Sequence, residues 1–337
     1  MTFLHQAHCD PHFGGRRHGQ ATRREGQRQA GAGSQRHVNP AGSSARSQAG
    51  EISDGHPLDE VQYLECKLIL KPDRFTSAKV FREYGELVGR AADKFGIGFS
   101  TKGVVLNPEI REVLFLDTEW YRLYNNAFIL RRRIAYDNGF PVSDPEMVFK
   151  FRHPDMQKAA ELDVRPNIAG NYRIKFKVEA LPLKDQLGGY RLLFSHNVEL
   201  NLSQVPDLDH ASLPKLGEIF PCMSGLKKSK DEKVEYVNHT IVEEVLQDIG
   251  TLDFGKDLTA NSNLALWRER GMQRPLCGEF AFQCKFKRRD DLHEKAIERV
   301  KEFFIALQET GHDWLSLGTT KTGLVYRLKG NPPQAHE

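Results

Sequence analysis

Alternation of apolar and charged residues, with the charges confined to one side, is the feature that most constrains the fold of this chain. In FILRRRI, residues 128–134, a strand would place Arg131 and Arg133 on one face and Leu130 and Arg132 on the other. Residues spaced in this way lie roughly 7 Å apart, so at an effective dielectric of about 20 the repulsion of two such cations is on the order of 2 kcal/mol. Water screens that repulsion at an exposed surface, but an enclosed site needs an anion to offset it.

The same sidedness recurs in several segments after position 60. YLECKLIL places Glu65 and Lys67 opposite its leucines, and MVFKFR places Lys150 and Arg152 opposite its phenylalanines. AAELDV, YRIKFKVEA and GEFAFQCKFK divide in the same way, whereas RLLFSHNVEL and TGLVYRL alternate less regularly. A period of two predicts strands, so the chain is predicted to be mainly antiparallel β.

Two segments instead have apolar residues at helical spacing. One begins at Ser77 and stops at Gly96, and the other follows Asp290 and stops at Gly311. Each helix would have one apolar stripe to bury, and the apolar faces of the strands supply the surface for it. The predicted fold class is therefore α+β, with helices packed on a mainly antiparallel sheet.

The alternation leaves two arrangements of that sheet open. An open sheet would turn its charged face to water. A sheet that closes on itself, with helices on its apolar face, would line a tunnel with charges. In the closed arrangement the lining consists of Glu65, Lys67, Arg131, Arg133, Lys150, Arg152, Glu161, Asp163, Lys175, Lys177 and Glu279.

Composition separates a tail from the rest of the chain. Residues 1–56 are rich in Gly, Gln, Ser, Arg and His and nearly lack large aliphatic residues, which predicts a disordered tail. The tail has seven of the 48 basic and four of the 45 acidic residues, so the rest of the chain has 48 − 7 = 41 basic and 45 − 4 = 41 acidic residues. A formally neutral domain argues against a general nucleic-acid surface, which would need an excess of positive charge.

Neither the apolar residues nor the cysteines indicate a membrane or secreted protein. No apolar run approaches the length of a membrane helix. The five cysteines are an odd number without paired short spacing, so neither a disulfide framework nor a zinc site is predicted. A soluble, cytoplasmic protein is expected, and the sequence leaves its oligomeric state open.

Mixed charges of this kind suit one class of ligand. Arg and Lys neutralise phosphate oxygens, Arg through forked hydrogen bonds and Lys as a point charge. Clustered carboxylates bind hard divalent ions such as Mg²⁺ or Mn²⁺, whose coordination is completed by water and substrate phosphates. A tunnel lined in this way is predicted to hold a chain of phosphates.

The same segments carry a family resemblance. YLECK resembles the E-x-E-x-K signature of the CYTH, or triphosphate tunnel metalloenzyme, superfamily, and LDTEWYRLYNNAFILRRR resembles its next conserved stretch. MVFKFR is similar to the lysine strand, AAELDV to the acidic strand, LDFG and GEFAFQCKFK to later acidic elements, and TKTGLVYRL to the closing strand. The resemblance spans Val61 to Leu328, and it implies a single domain over residues 57–330 with an eight-stranded, antiparallel tunnel.

The resemblance also implies functional roles. Members of the superfamily hydrolyse inorganic triphosphate, thiamine triphosphate or RNA 5′-triphosphate ends, or cyclise ATP. The implied catalytic residues are Glu65 and Lys67. The implied substrate-binding residues are Lys67, Arg131, Arg133, Lys150, Arg152 and Lys321, and the implied ligands of Mg²⁺ or Mn²⁺ are Glu65, Glu161, Asp163, Asp253 and Glu279.

The chain departs from the superfamily signature at acidic positions. Tyr63 stands where the signature has its first Glu, and Ala281 and Gln283 share the face of Glu279 in the late acidic element. Each loss removes a negative charge from the metal shell and is expected to weaken binding of the ion. Residues 255–278 are foreign to the compact pattern and are interpreted as a surface loop, with a lid as the alternative.

Several functions follow from this reading. The leading hypothesis is a metal-dependent triphosphatase that acts on a small triphosphate-containing compound. A non-catalytic polyphosphate or nucleotide sensor and an adenylyl cyclase would use the same cavity. An RNA-binding sheet would need stacking aromatic residues on its charged faces, which carry few of them.

Overall fold

The computed structural model describes residues 57–104, 107–226, 232–286, 288 and 291–329, so the tail predicted for residues 1–56 lies outside the described residues. The strands are β1 (Tyr63–Leu70), β2 (Gly98–Ser100), β3 (Glu109–Asp117), β4 (Phe128–Asp137), β5 (Phe140–Pro141), β6 (Glu146–His153), β7 (Arg173–Pro182), β8 (Tyr190–Asn201), β9 (Glu235–Tyr236), β10 (Val242–Asp253), β11 (Thr259–Glu269) and β12 (Arg274–Lys285). The helices are α1 (Lys79–Lys94), α2 (Arg122–Asn125), α3 (Met156–Glu161), α4 (Leu213–Ile219), α5 (Glu294–Thr310) and α6 (Lys321–Tyr326). Within these ranges, no helix has both the length and the apolar character needed to cross a membrane.

Nine of the strands close into a barrel. Their order around it is β10-β11-β12-β1-β7-β8-β6-β4-β3, and β3 pairs with β10 to complete the circle. Neighbouring strands are antiparallel, except that β1 and β7 are parallel. The predicted class, α+β with a closed, mainly antiparallel barrel and helices outside, is confirmed, but the barrel has nine strands instead of eight.

The apolar outer face of the barrel explains where the long helices pack. On the outside of β12, the ring of Tyr84 from α1 lies 5.4 Å from that of Phe280, and the ring of Phe303 from α5 lies 5.8 Å from that of Phe282. Both helices are the ones predicted from the sequence. Gly96 follows α1 with a φ of +62°, which a glycine adopts without the strain that a side chain would cause.

Apolar side chains fill the end of the barrel at which β1 terminates, and we call them the plug. The plug consists of Ile69, Val113, Phe115, Ile129, Trp267 and Cys277 from the strands, with Tyr124 from α2 and Val325 and Tyr326 from α6. Asp117 holds the two helices together, because its carboxylate accepts hydrogen bonds from the Tyr124 backbone N–H at 2.9 Å and from the Tyr326 hydroxyl at 3.0 Å. A ligand inside the barrel would therefore enter from the opposite end, which we call the mouth.

Two segments that the sequence predicts as strands form helices. AAELDV lies in α3 and the chain after it, because the Asp155 side chain caps this helix by accepting from the backbone N–H groups of Gln157 and Lys158. TKTGLVYRL contains α6, which the Thr320 side chain caps by accepting from the Gly323 N–H at 3.0 Å. Alternation over so short a segment does not distinguish a strand from a capped helix.

The ninth barrel strand comes from the segment interpreted as a loop. Residues 255–278 contain β11 and the start of β12, and Trp267 of β11 is part of the plug. The inner face of β11 carries Asn261 and Asn263 where other strands carry charges. The interpretation as a loop or a lid is therefore wrong, and the error arose because the alternation in β11 is not marked by charge.

Candidate functional site

The charged faces of the strands converge inside the barrel. Lys150 of β6 lies 2.5 Å from Glu179 of β7, although β8 separates these strands in the sheet. Lys177 of β7 donates a hydrogen bond of 2.8 Å to the Gln283 side chain of β12, across β1. The barrel is closed, and the side chains of Lys150, Glu179 and Lys177 are at most 15% exposed, so the charged faces line its interior and do not face open solvent.

A buried acidic side chain, Glu179, lies at the centre of one group of cations. Its side chain is 1% exposed, and its carboxylate lies 2.5 Å from Lys150, 3.1 Å from Lys67 and 3.8 Å from Arg152. Burial works against the charged form, but these cations hold the pKa of Glu179 well below its usual value. Glu179 is thus the shared ion-pair partner of three basic groups, so positive charge is in excess at this point of the tunnel.

Burial and the neighbouring cations disfavour the protonated form of Lys150. Burial lowers the pKa of Lys150 to about 7, assisted by Lys67 and Arg152 and opposed by Glu179. A phosphate group placed beside Lys150 would add negative charge and move its pKa back toward the usual range.

The predicted catalytic residues, Glu65 and Lys67, are neighbours on the inner face of β1. Their charged groups lie 3.0 Å apart, and Glu65 also lies 3.5 Å from Lys177. Burial opposes ionisation of Glu65, but Lys177 and Lys67 lower its pKa to about 2. Burial also opposes the charge on Lys67, whose pKa is nevertheless raised by Glu179 and Glu65. Both residues are therefore charged at neutral pH.

Two neutral residues that depart from the superfamily signature contact the same lysine. The Nζ atom of Lys177 lies 5.4 Å from the centre of the Tyr63 ring and 2.8 Å from the Gln283 side-chain oxygen. A ring face and an amide oxygen attract an ammonium group without neutralising it. Within the described ranges, Glu65 is the only ion-pair partner of Lys177, so the departures leave this part of the tunnel more positive.

Lys321 enters the tunnel from α6, beside the plug. Its Nζ atom lies 2.5 Å from Glu279, 3.2 Å from Glu244 and 4.6 Å from the centre of the Trp267 ring. The Trp267 indole N–H donates a hydrogen bond of 2.7 Å to Glu244. Burial opposes both charges, but the two carboxylates raise the pKa of Lys321, and Lys321 lowers the pKa of Glu244 to about 2. A helix therefore supplies the lysine that the sequence assigns to a strand.

Arg131 and Arg133 share the inner face of β4, as the alternation predicts. Arg133 lies 2.8 Å from Glu146. Arg131 has no ion pair among the residues that the structure describes, and its Nε atom is buried without a hydrogen-bond partner. Burial and the neighbouring Arg133 lower the pKa of Arg131 to about 10, so it remains a cation at neutral pH. Arg132 lies on the outer face, 2.6 Å from Asp209.

Together these side chains form a charged wall between the plug and the mouth. The basic members of the wall are Lys67, Arg111, Arg131, Arg133, Lys150, Arg152, Lys175, Lys177 and Lys321, and the acidic members are Glu65, Glu146, Glu179, Glu199, Glu244 and Glu279. Nine basic against six acidic groups leave 9 − 6 = 3 positive charges in excess when Lys150 is protonated. Every acidic member has a basic partner, and Arg111 also pairs with the exposed Glu109, so the charge that an anion can use comes from the other basic members.

Most of the predicted site residues belong to this wall, and three do not. The wall contains Glu65, Lys67, Arg131, Arg133, Lys150, Arg152, Glu279 and Lys321. Glu161 is exposed on α3 and accepts a hydrogen bond of 2.7 Å from Gln157. Asp163 is exposed and pairs with Arg165 at 2.6 Å, and Asp253 is exposed at the end of β10, where it caps the turn that follows. The five metal ligands implied by the resemblance are therefore not brought together.

Glu179, Glu244 and Trp267 are site residues that the sequence analysis does not single out. In YRIKFKVEA, Glu179 shares its face with Lys177, so the alternation contains the signal for it. Glu244 is harder to find, because its neighbour Glu243 gives β10 acidic residues on both faces. Trp267 lies on a strand whose inner face carries little charge, and no comparable signal marks it.

A resident metal ion does not fit the arrangement of the tunnel carboxylates. No group of three or more His, Cys, Asp and Glu side chains is placed to hold a metal ion in the part of the chain that the structure describes. The tunnel carboxylates instead form two pairs, each in contact with one ammonium group. The pairs are Glu65 and Glu179 at Lys67, and Glu244 and Glu279 at Lys321. That Mg²⁺ or Mn²⁺ takes part in the function together with the substrate phosphates stays a prediction.

No family model matches the sequence, and no curated protein matches it either. Among solved structures, a candidate adenylyl cyclase from Hippeastrum, described as having a dominant triphosphatase activity, is 14% identical with a TM-score of 0.38 over 81% of this chain and 98% of that one. A candidate adenylate cyclase from Bacillus halodurans is 11% identical, with a TM-score of 0.37 over 80% and 98% of the two chains. A protein from Pyrococcus horikoshii is 13% identical, with a TM-score of 0.33 over 78% and 97%. Similarity at this level supports no argument about function.

Proposed function

We propose that the tunnel binds a triphosphate-containing compound and hydrolyses it. The observation that carries this proposal is Arg131, a partly buried guanidinium without an ion pair among the described residues, in a wall where basic groups outnumber acidic ones. Phosphate oxygens fit the fork of donors that a guanidinium presents. The motif resemblance to triphosphate tunnel metalloenzymes agrees with this function, because YLECK, FILRRR and MVFKFR all contribute side chains to the wall.

The members of the wall would share binding and reaction in this function. Arg131, Lys150 and Lys67 would bind and orient the phosphate chain from three different strands. Hydrolysis spreads negative charge over the transferred phosphoryl group and the leaving oxygen, and fixed cations that face this charge stabilise the transition state. Glu65, whose low pKa keeps it ionised, is the carboxylate that would orient the attacking water.

Release of phosphate is the measurement that tests this function. The protein is incubated with inorganic triphosphate, thiamine triphosphate and ATP, each with and without Mg²⁺ or Mn²⁺, and free phosphate is measured. We expect release from at least one of these compounds. If the folded protein releases none and calorimetry detects no binding of any of them, the proposed function is wrong.

A binding protein without turnover is the second candidate function. Each carboxylate of the charged wall is paired with a basic group, so a base would have to break an ion pair before it could accept a proton. In this case calorimetry would detect triphosphate binding while no phosphate is released. An adenylyl cyclase, the other use of such a tunnel, would produce cyclic AMP from ATP in the same incubation.

Binding of triphosphate is expected to draw a proton onto Lys150 above neutral pH. The pKa of Lys150 is lowered to about 7 in the protein, so above that pH its side chain is mostly neutral until phosphate oxygens stabilise the charged form. The affinity should therefore fall as the pH rises through 7. Calorimetry in two buffers with different ionisation enthalpies measures the proton uptake.

The control for this prediction is Lys150→Met. Protons that the triphosphate itself gains or loses are common to the variant and the wild type, so the difference between the two proteins reports Lys150. Equal proton uptake by both proteins would show that Lys150 is not the group that titrates.

A further inference from the structure

Two lysines of the tunnel each contact two carboxylates. Lys321 lies 2.5 Å from Glu279 and 3.2 Å from Glu244. Lys67 makes the same kind of contact, at 3.0 Å from Glu65 of β1 and 3.1 Å from Glu179 of β7. In each case the ammonium group is placed where a divalent ion shared by the two carboxylates would otherwise be expected. The acidic pairs of this tunnel are thus already occupied by a cation that belongs to the chain.

Lys321 is held in this position by more than its two ion pairs. It is the first residue of α6, and the Thr320 side chain caps that helix. Its Nζ atom lies 4.6 Å from the centre of the Trp267 ring, a distance at which a ring face attracts a cation. A metal ion that took this position would have to expel the ammonium group, whose side chain is only 18% exposed, from its partners. Expelling a buried charge from its ion pairs is costly.

The positive charge of the tunnel is also sufficient without a metal ion. Basic members of the charged wall exceed acidic ones, and Arg131 has no ion pair among the described residues. Lys177 contacts the neutral Tyr63 and Gln283, and its one ion pair in the described ranges, with Glu65 at 3.5 Å, leaves it available as well. Arg and Lys together neutralise phosphate oxygens in the way a metal ion does.

We propose that Lys321 and Lys67 act as built-in cations, and that the tunnel binds a triphosphate anion that carries no divalent metal ion. This inference rests on the proposed function, which it deepens by naming the state of the ligand. The metal-free anion is the form that the tunnel recognises, and the four carboxylates paired with these two lysines keep the lysines in place.

Calorimetric titration of the full chain with sodium triphosphate tests the inference directly. One titration is made in EDTA and the other in excess Mg²⁺. We expect binding in EDTA that is at least as tight as binding in Mg²⁺, because the ion competes with the tunnel for the phosphate oxygens. Binding that is detected only in Mg²⁺ would overturn the inference and leave the proposed function intact. An absence of binding in both titrations would overturn the proposed function and the inference together.

A second measurement uses Trp267 as a probe that does not depend on activity. Mn²⁺ quenches the fluorescence of a nearby indole, and the signal of Trp267 is obtained as the difference between each protein and the same protein carrying Trp267→Phe. We expect Mn²⁺ to leave this signal unchanged in the wild type and to quench it in Lys321→Met, where Glu244 and Glu279 lose their shared cation. Adding Glu279→Gln to Lys321→Met should abolish the quenching.

The matched control for Lys321→Met is Lys285→Met. Lys285 is an exposed cation near the ring of Tyr63 and is not shared by two carboxylates in the described part of the chain, so its loss should create no site for Mn²⁺. Equal quenching in the wild type and in Lys321→Met would overturn the inference. If Lys321→Met does not fold, the titrations of the wild type in EDTA and Mg²⁺ still decide the question.

Discussion

Replacing Arg131 by methionine is expected to weaken the binding of triphosphate by about 100-fold, because a charge-assisted, forked pair of hydrogen bonds contributes on the order of 3 kcal/mol. Methionine keeps much of the side-chain volume but has neither the charge nor the donors. Arg131 loses no ion pair among the described residues, and the pKa lowered to about 10 shows that burial and Arg133 disfavour its charge. The variant should therefore unfold at the same temperature as the wild type or at a higher one. Calorimetry measures the affinity, and thermal unfolding measures the stability.

The matched control for Arg131→Met is Arg132→Met, on the same strand but on the opposite face. Arg132 lies 2.6 Å from Asp209 outside the tunnel, so its loss should lower the stability and leave the affinity for triphosphate unchanged. Arg131→Met should therefore weaken triphosphate binding without a loss of stability, whereas Arg132→Met should lower the stability without weakening binding. If Arg131→Met binds triphosphate as tightly as the wild type, the guanidinium does not contact the ligand and the proposed site is wrong.

Replacing Glu179 by glutamine is expected to lower the free energy of unfolding by about 3–5 kcal/mol when no triphosphate is present, as removal of one partner from a buried ion pair does. Glutamine has nearly the same shape, but its neutral amide leaves Lys67, Lys150 and Arg152 without the carboxylate they share. Triphosphate should supply the missing negative charge. It should therefore raise the unfolding temperature more in the variant than in the wild type, which thermal unfolding with and without sodium triphosphate measures.

Glu298→Gln is the control for this substitution. Glu298 lies 2.9 Å from Lys301 on the outer helix α5, and its side chain is 46% exposed. Loss of such a surface pair should change the stability by less than about 1 kcal/mol, and the effect of triphosphate should equal that on the wild type. A similarly small loss of stability for Glu179→Gln would show that the ion pairs of Glu179 contribute little to the fold. Equal stabilisation of both variants by triphosphate would show that the cations around Glu179 do not bind the anion.

Individual strands illustrate how much of the site was accessible from the sequence. In YLECK, FILRRR and MVFKFR, the side chains of Glu65, Lys67, Arg131 and Lys150 were predicted to share the polar side of their strands, and all of them line the tunnel. This prediction is robust because the period of two is a property of the strand backbone and does not depend on which strand lies alongside.

The errors have an equally local origin. Glu161 and Asp163 were predicted to lie on a strand, but the cap formed by Asp155 makes their segment a short helix followed by exposed chain. β11 was missed because the contrast that marks the other strands is absent from its inner face, where Asn263 lies. In a short segment without charge contrast, the alternation of apolar and polar residues predicts structure less strongly than a helix cap or a turn does.

The sequence by itself determined the strands that show charge contrast, such as β1, β4 and β6, and which of their side chains share a face, since both follow from local backbone geometry. Only the tertiary structure decided that nine strands close into a barrel, that Lys321 enters it from a helix, and that Glu179 meets three cations while Arg131 has no ion pair among the described residues. The physical reason is that these contacts join strands that are distant in the sequence and are not adjacent in the sheet. Their distances depend on strand order, on the parallel pairing of β1 with β7 and on closure, and no local pattern encodes those.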